Sequence, residues 1–211
     1  MTRKEQKEER RKTILMTALK LFVERGYYDT KITDIAGAVP MSTGLLFHYF
    51  ESKEELYLEL VKMGAAATAS FGKSDAPAQP ASNDFPIQSA VSSNSTEISP
   101  DAYFLGFLRG LFAYSKAQPW VFNMFVLMGQ ARRVGMPEEA RKLALSVSAI
   151  DSSAKIIEKG QSLGIFREGN ARLLSTCFWA TVQGIMEEMS INKELPVPDP
   201  EWIVAILRKN V

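Results

Sequence analysis

The chain has 211 residues, 25 Lys and Arg against 24 Asp and Glu, a formal net charge of +1, and 46% hydrophobic residues. That balance argues against a disordered chain and against a generally basic, nonspecific nucleic-acid coat, while leaving room for a local basic patch. One histidine, His48, and one cysteine, Cys177, leave no ligand set at metal-binding spacing and no internal disulfide.

The first twelve residues carry six cations, Arg3, Lys4, Lys7, Arg10, Arg11 and Lys12, against Glu5, Glu8 and Glu9. Two roles fit such a start: a solvated helix end, or a contact to phosphates. Ile14, Ala18 and Phe22 then recur every four residues with Leu15 and Leu19 beside them, one apolar stripe on a helix. Gly26 suits the left-handed position after its last turn. A second helix, "KITDIAGAV", takes Thr30 as its N-cap and ends near Ala38, because Pro40 disfavours helical geometry at Val39. Ser42 caps a third, "TGLLFHYF". "SKEE" at 52–55 reads as a capping box, Ser52 at N-cap and Glu55 at N3, and opens a fourth, "KEELYLELVKMGAAATAS".

Residues 74–100 change composition abruptly, with seven serines, four prolines and no Lys or Arg. A mobile loop is expected at about 74–98, with one short turn around "IQSAV". Helix signals then return, each behind a start marker: Ser99-Pro100, Pro119, Pro137, Asn170 and Asp199-Pro200. The segment after Pro137, "EEARKLALSVSAIDSSAKIIEKGQSLG", reads as a single helix. Roughly nine helices and no two-residue alternation make the fold class all-α. No run of about 20 apolar residues exists to span a membrane. No signal peptide is visible, so a cytoplasmic location is expected. Cys177, inside "STCFWA", is expected to be a buried, inert thiol.

Residues 31–50 fit a helix-turn-helix. Ala36 is the small residue where two helices cross, Pro40 occupies the turn, and Met41, Leu46 and Tyr49 or Phe50 supply inward anchors. Ser42, Thr43, Leu45 and His48 are left on the other side, towards solvent or DNA. "KITDIAGAVPMSTGLLFHYFESKEELYLELV" resembles the N-terminal domain of the TetR/AcrR family of transcriptional regulators. The resemblance spans residues 10–62 and rests on "RGY", "IA", S-x-G-x-x-x-H-Y-F and "SKEEL" in order. It implies a three-helix DNA-binding domain at 1–62 and a larger helical effector-binding and dimerisation domain at 63–211. The C-terminal two-thirds agree with the family only in helix number and length.

In that family the third helix lies in the major groove. The resemblance therefore implies DNA contacts from Thr33, Ser42, Thr43, Gly44, Leu45, Phe47, His48, Tyr49 and Lys53. Leu45 would meet a thymine methyl, and His48, Tyr49 and Lys53 would meet phosphates. Two positions depart from the family pattern. Phe47 stands where many members carry a tyrosine hydroxyl. "VPM" replaces "AGV" or "AGM", so Pro40, with φ held near −65°, stands where glycine commonly permits a positive φ. A proline there is expected to stiffen the turn and to stabilise it through unfolded-state entropy.

The resemblance further implies an inducer pocket. Phe107, Trp120, Phe122, Met124, Phe125 and Met128 are candidates to line it, since methionine and aromatic side chains suit adaptable cavities as well as cores. It also implies a homodimer formed by the last two long helices, with Leu174, Phe178, Ile185, Met189, Ile203, Ile206 and Leu207 as interface candidates. The function expected is that of a ligand-responsive repressor that leaves a palindromic operator when a small apolar or amphipathic effector binds, with no cofactor. The alternative is a dimeric all-α interaction or ligand-binding protein that has lost specific DNA binding, favoured by Pro40 and Phe47. An enzyme is not expected. A Ser-His-Asp reading would need His48, which the helix-turn-helix claims, and "GKS" at 72–74 lacks both the earlier glycine of a phosphate loop and a preceding strand.

Overall fold

The computed structural model describes residues 2–70 and 98–209. The expected mobile loop lies outside the described residues up to Ile98, as do "IQSAV" and "GKS". Among the described residues there are ten helices: α1 (Arg3–Arg25), α2 (Ile32–Ala38), α3 (Thr43–Phe47), α4 (Lys53–Ser70), α5 (Pro100–Ala117), α6 (Trp120–Ala131), α7 (Glu138–Ser146), α8 (Ala149–Ser162), α9 (Ala171–Ile191) and α10 (Pro200–Val204). Backbone pairing between strands is limited, among these residues, to an isolated bridge between Phe166 and Arg208. None of these helices is long and apolar enough to cross a membrane.

The helices form two compact units, Met1–Ala65 with Trp120–Ser146, and Ala66–Pro119 with Val147–Val211. The resemblance implied a DNA-binding domain at 1–62 and one larger domain at 63–211. Helices α6 and α7 instead join the N-terminal unit, because α1 packs along α6 and α7 packs on α6. Buried Val121, Met124, Leu127 and Ala131 supply the apolar surface on α6.

In the first unit Ile14, Ala18, Leu19 and Phe22 are fully buried, with Ile35, Leu46, Leu56 and Leu60. Each large side chain contributes about 1.5–3 kcal/mol by leaving water. Thr2 and Glu5 close a capping box at the start of α1. Gly26 ends the helix with φ 85° and ψ 161°, extended rather than helical in ψ, and its N–H bonds the Phe22 carbonyl. Thr30 does not cap α2; that position belongs to Lys31. The Thr30 hydroxyl is buried and lies 2.8 Å from the Gly26 carbonyl and 3.2 Å from that of Leu21, so it bonds back to the end of α1 instead. The Glu55 box is displaced by one residue: its carboxylate takes the Glu51 N–H, while Ser52 Oγ accepts from Glu55 N.

The second unit is held by α8 against α9 and by α10 against α5. Phe104 of α5 sits 4.8 Å from Phe178 and 5.9 Å from Phe166, ring centre to ring centre. Arg208 grips Asp101 with two hydrogen bonds of 2.8 and 3.0 Å and Glu201 with one of 2.6 Å, which raises the guanidinium's proton affinity. The segment expected as a single helix after Pro137 is two, α7 and α8. Ser148 breaks it: its hydroxyl accepts from Asp151 N at 3.2 Å as the N-cap of α8. Cys177 is exposed, not buried. The core face of α9 runs through Ser175, Phe178, Val182 and Met186, which turns position 177 outward.

Candidate nucleic-acid interface

Helix α2 packs between α1 and α3 through Ile35 and Ala36, both buried. Its start is fixed by Asp34, whose carboxylate accepts the Lys31 N–H at 2.9 Å and lies 3.9 Å from Arg25. The turn that follows is a helix-ending motif with the wrong residue in its key place. The Met41 N–H bonds the Ala36 carbonyl at 3.0 Å, the long bond of a Schellman cap. Counting from that bond, Val39 is the C-cap and Pro40 sits at C′, the position that calls for a positive φ and an N–H. Pro40 has φ 24° and no N–H to give the Gly37 carbonyl. Val39, with φ −95° and ψ 16°, also lies outside the extended region preferred before proline.

Helix α3 is shorter than expected: it ends at Phe47, and His48 and Tyr49 form a tight turn in which their N–H groups reach Leu45 and Leu46. Ser42 caps it, its hydroxyl accepting from Leu45 N at 3.1 Å. Leu46 and Phe50 are the inward anchors, at 0% and 1% exposure. Tyr49, expected to anchor inward, is half-buried instead. Ser42, Gly44, Leu45, Phe47 and His48 are exposed, and Thr43 is half-exposed. On α2, Thr33 is exposed as well. The structure thus brings eight of the nine sequence-selected positions, Thr33 to Tyr49, to the α2–α3 segment of one unit.

Lys53, the ninth, has a different job. Its ammonium donates to the carbonyls of Tyr27 at 3.0 Å and Thr30 at 3.1 Å, and stands 4.2 Å above the Tyr27 ring. Half-buried, it staples the α1–α2 loop to the start of α4. Tyr27 donates to Glu54 at 2.7 Å. Burial first, and then that bond, push the Tyr27 hydroxyl up, while the same bond holds the Glu54 carboxyl below the usual carboxylate range. Tyr57, packed 4.8 Å from Tyr27, is pushed up to about 12 by burial.

The sequence left the charged start of α1 open between a solvated helix end and a contact to phosphates. Arg3, Gln6, Lys7, Glu9, Arg10, Thr13 and Tyr49 line an open groove of about 580 Å³ between α1 and the exit of α3. The signal was present in the spacing: Arg3, Lys7 and Arg10 recur at helical intervals.

The effector candidates are distributed over both units. Phe107, on α5, is buried and packs edge-on to Trp179 at 5.5 Å in the second unit. On α6, Phe122 and Met124 are buried, while Trp120, Phe125 and Met128 are half-buried. Of the interface candidates, Phe178, Met189, Ile203 and Leu207 are buried within their own unit, so their side chains are unavailable to a partner. Leu174, Ile185 and Ile206 are half-buried. The outward face of α9 is a different stripe: Leu173, Cys177, Ala180, Gly184 and Ile191. The two stripes of α9 lie side by side in the sequence, and burial separates them. Among the described residues there is no cluster of potential metal ligands.

Residues 14–60 match the family model described as bacterial regulatory proteins, tetR family. The HTH-type transcriptional regulator HbdR of Aromatoleum sp. (strain CIB) is 46% identical over 55 residues, 26% of this chain and 24% of that protein. The HTH-type transcriptional repressor KstR2 of Rhodococcus jostii (strain RHA1) is 41% identical over 56 residues, 26% of this chain and 28% of its own length. The similarity to these curated relatives thus spans only about a quarter of each. The crystal structure of AibR in complex with isovaleryl coenzyme A and operator DNA superposes with a TM-score of 0.65 at 17% identity, over 93% of this chain and 94% of that one, a likeness of fold. Residues 14–60 are thus similar to the N-terminal domain of the tetR family of bacterial regulatory proteins, and the rest of the chain shares the fold of such a regulator.

Proposed function

We propose that this protein is a ligand-responsive regulator that binds duplex DNA as a homodimer and represses transcription until an effector releases it. The observation that carries the reading is the surface of α3. Leu45 is 41% exposed and Phe47 47% exposed on a short helix whose other side is sealed by Leu46 and Phe50. Apolar side chains held out beside a hydroxyl and an imidazole suit a major groove, where thymine methyls and base edges alternate. Gly44 adds no side chain between the helix backbone and the bases.

One such helix contributes little affinity, so a dimer placing two copies about 34–36 Å apart, or a multiple, is required. The outward α9 stripe of Leu173, Cys177, Ala180, Gly184 and Ile191 is the face we assign to that contact. It replaces the inward candidates, because Leu173 and Ile191 are 65% and 79% exposed. For the effector, the half-buried Trp120, Phe125 and Met128 of α6 are the side chains we expect an apolar or amphipathic molecule to meet. Phe107, Phe122 and Met124 are already committed to cores. Release follows if the effector favours a state whose recognition helices no longer match the half-site spacing.

The test is selection of duplexes from a random library by the full chain, followed by anisotropy titration. Sequence-selective retention that weakens steeply with salt supports the reading. His48→Ala should weaken binding of the selected duplex by roughly tenfold, about 1.4 kcal/mol, without unfolding the dimer. A folded dimer that retains no duplex selectively would sink the proposal and leave the ligand-binding alternative standing.

A further inference from the structure

The core-facing stripe of α1 does not stop where the core stops. Ile14, Ala18 and Leu21 are buried on it. Continued towards the N-terminus at the same three- and four-residue steps, the positions are Arg10, Lys7 and Arg3. Residues 3–10 are all exposed, so about 12 Å of helix, at roughly 1.5 Å per residue, overhangs the folded body. It carries its cations on the side that the rest of α1 turns towards α2 and α6. A helix end so fully exposed gains little from packing. The Thr2–Glu5 capping box nonetheless holds it in register.

The three cations border the groove of about 580 Å³ with Gln6, Glu9, Thr13 and Tyr49. None of Arg3, Lys7 and Arg10 has an ion pair among the described residues. Arg11, one residue on, differs: it bonds Glu59 at 2.8 Å and stacks 4.8 Å from the centre of the Phe50 ring. The groove thus sets three uncommitted cations against one carboxylate, Glu9. Its far wall is the phenol of Tyr49, at the exit of the helix proposed to enter the major groove.

We infer that this groove is a second DNA-contact surface, in which Arg3, Lys7 and Arg10 grip the sugar-phosphate backbone beside the site read by α3. The inference rests on the DNA-binding reading and deepens it. The overhang supplies affinity and register and carries no base selection, since lysine and arginine meeting phosphates are indifferent to sequence.

The experiment compares two triple variants on the duplex that the wild-type chain selects from a random library. Arg3→Gln/Lys7→Gln/Arg10→Gln empties the groove of cations. Lys4→Gln/Lys12→Gln/Lys20→Gln removes the same charge from other faces of the same helix. Each phosphate contact contributes about 0.9 to the slope of log affinity against log salt. The groove variant should therefore lose about 2 to 3 of slope per protomer, with the order of preference among selected sequences unchanged. The control variant should keep the wild-type slope. Equal losses in both variants, or none in the groove variant, overturn the inference alone. A shifted sequence preference in the groove variant overturns it too, because the surface would then be reading bases. A wild-type chain that selects no duplex overturns this inference together with the reading beneath it.

Discussion

Replacing Pro40 by glycine should stabilise this protein, reversing the expectation that a proline in the turn stiffens and strengthens it. The φ of 24° is roughly 90° from the value the pyrrolidine ring prefers. A residue held in such a region costs about 1–3 kcal/mol. Glycine adopts a positive φ freely and restores the N–H that a Schellman cap directs to the Gly37 carbonyl, a bond of about 1 kcal/mol net. Against this stands the larger unfolded-state entropy of glycine, about 0.4–1 kcal/mol. Strain relief and the regained bond outweigh it, for a net gain of about 1–3 kcal/mol. Urea unfolding followed by circular dichroism should show a higher midpoint at unchanged slope. Pro40→Ala should fall between the two, since it frees the ring and restores the N–H but keeps a Cβ at positive φ. A glycine variant less stable than wild type by 0.5–1 kcal/mol would refute the reasoning and show that unfolded-state entropy governs the turn. The same variant should select the same duplex sequences; an altered preference would mean that the turn sets the entry angle of α3.

Two further outcomes follow from packing and charge. Gly160→Ala would set a Cβ 2.1 Å from the Phe166 ring, itself 1% exposed, so the usual helix gain of alanine should turn into a loss of about 1–3 kcal/mol by thermal unfolding; a neutral result would mean that the ring can move aside. The Glu59 carboxyl is pushed up by burial, but the bonds from Lys62 and Arg11 outweigh that and hold it below its ordinary 4.5. A depressed carboxylate contributes stability that is present above the unfolded value and lost as pH falls through the folded one. Wild type should therefore exceed Glu59→Gln in stability at pH 7, with the gap closing below pH 4.5; a gap independent of pH would show that shape rather than charge carries the difference.

Periodicity and caps were enough to place most helices, because both act within a turn or two. Ser42, Ser99, Asn170 and Asp199 each accept a backbone N–H where the sequence pattern started a helix. The misplacements occurred where a residue had two lawful partners. Thr30 could cap the helix ahead of it or the carbonyls behind it, and the Gly26 turn brought the latter within 2.8 Å. Lys53 could reach solvent, a glutamate or a loop, and three nearby acceptors settled the choice: the Tyr27 and Thr30 carbonyls and the Tyr27 ring. Cys177 and Phe178 are adjacent in the chain and opposite in fate, because α9 is apolar on more than one face. Hydrophobicity alone does not say which face meets its own core.

Local rules hold across nearly every element of the first unit, which makes the exceptions informative. One is Pro40, a residue that cannot satisfy the cap it occupies. Another is the start of α1, a capped helix end whose residues 3–10 are all exposed. A third is α3, a short helix that exposes Leu45 and Phe47 while Leu46 and Phe50 are sealed. All three bear on the same helix. Pro40 precedes α3, the groove of the overhang is walled by Tyr49 just after it, and α3 itself lies between. Stability alone would favour glycine at 40, a shorter α1 and polar residues at 45 and 47. Departures from all three preferences gather around one surface, which is what the proposed DNA-binding role would ask of it: cations for phosphates beside apolar side chains for base edges.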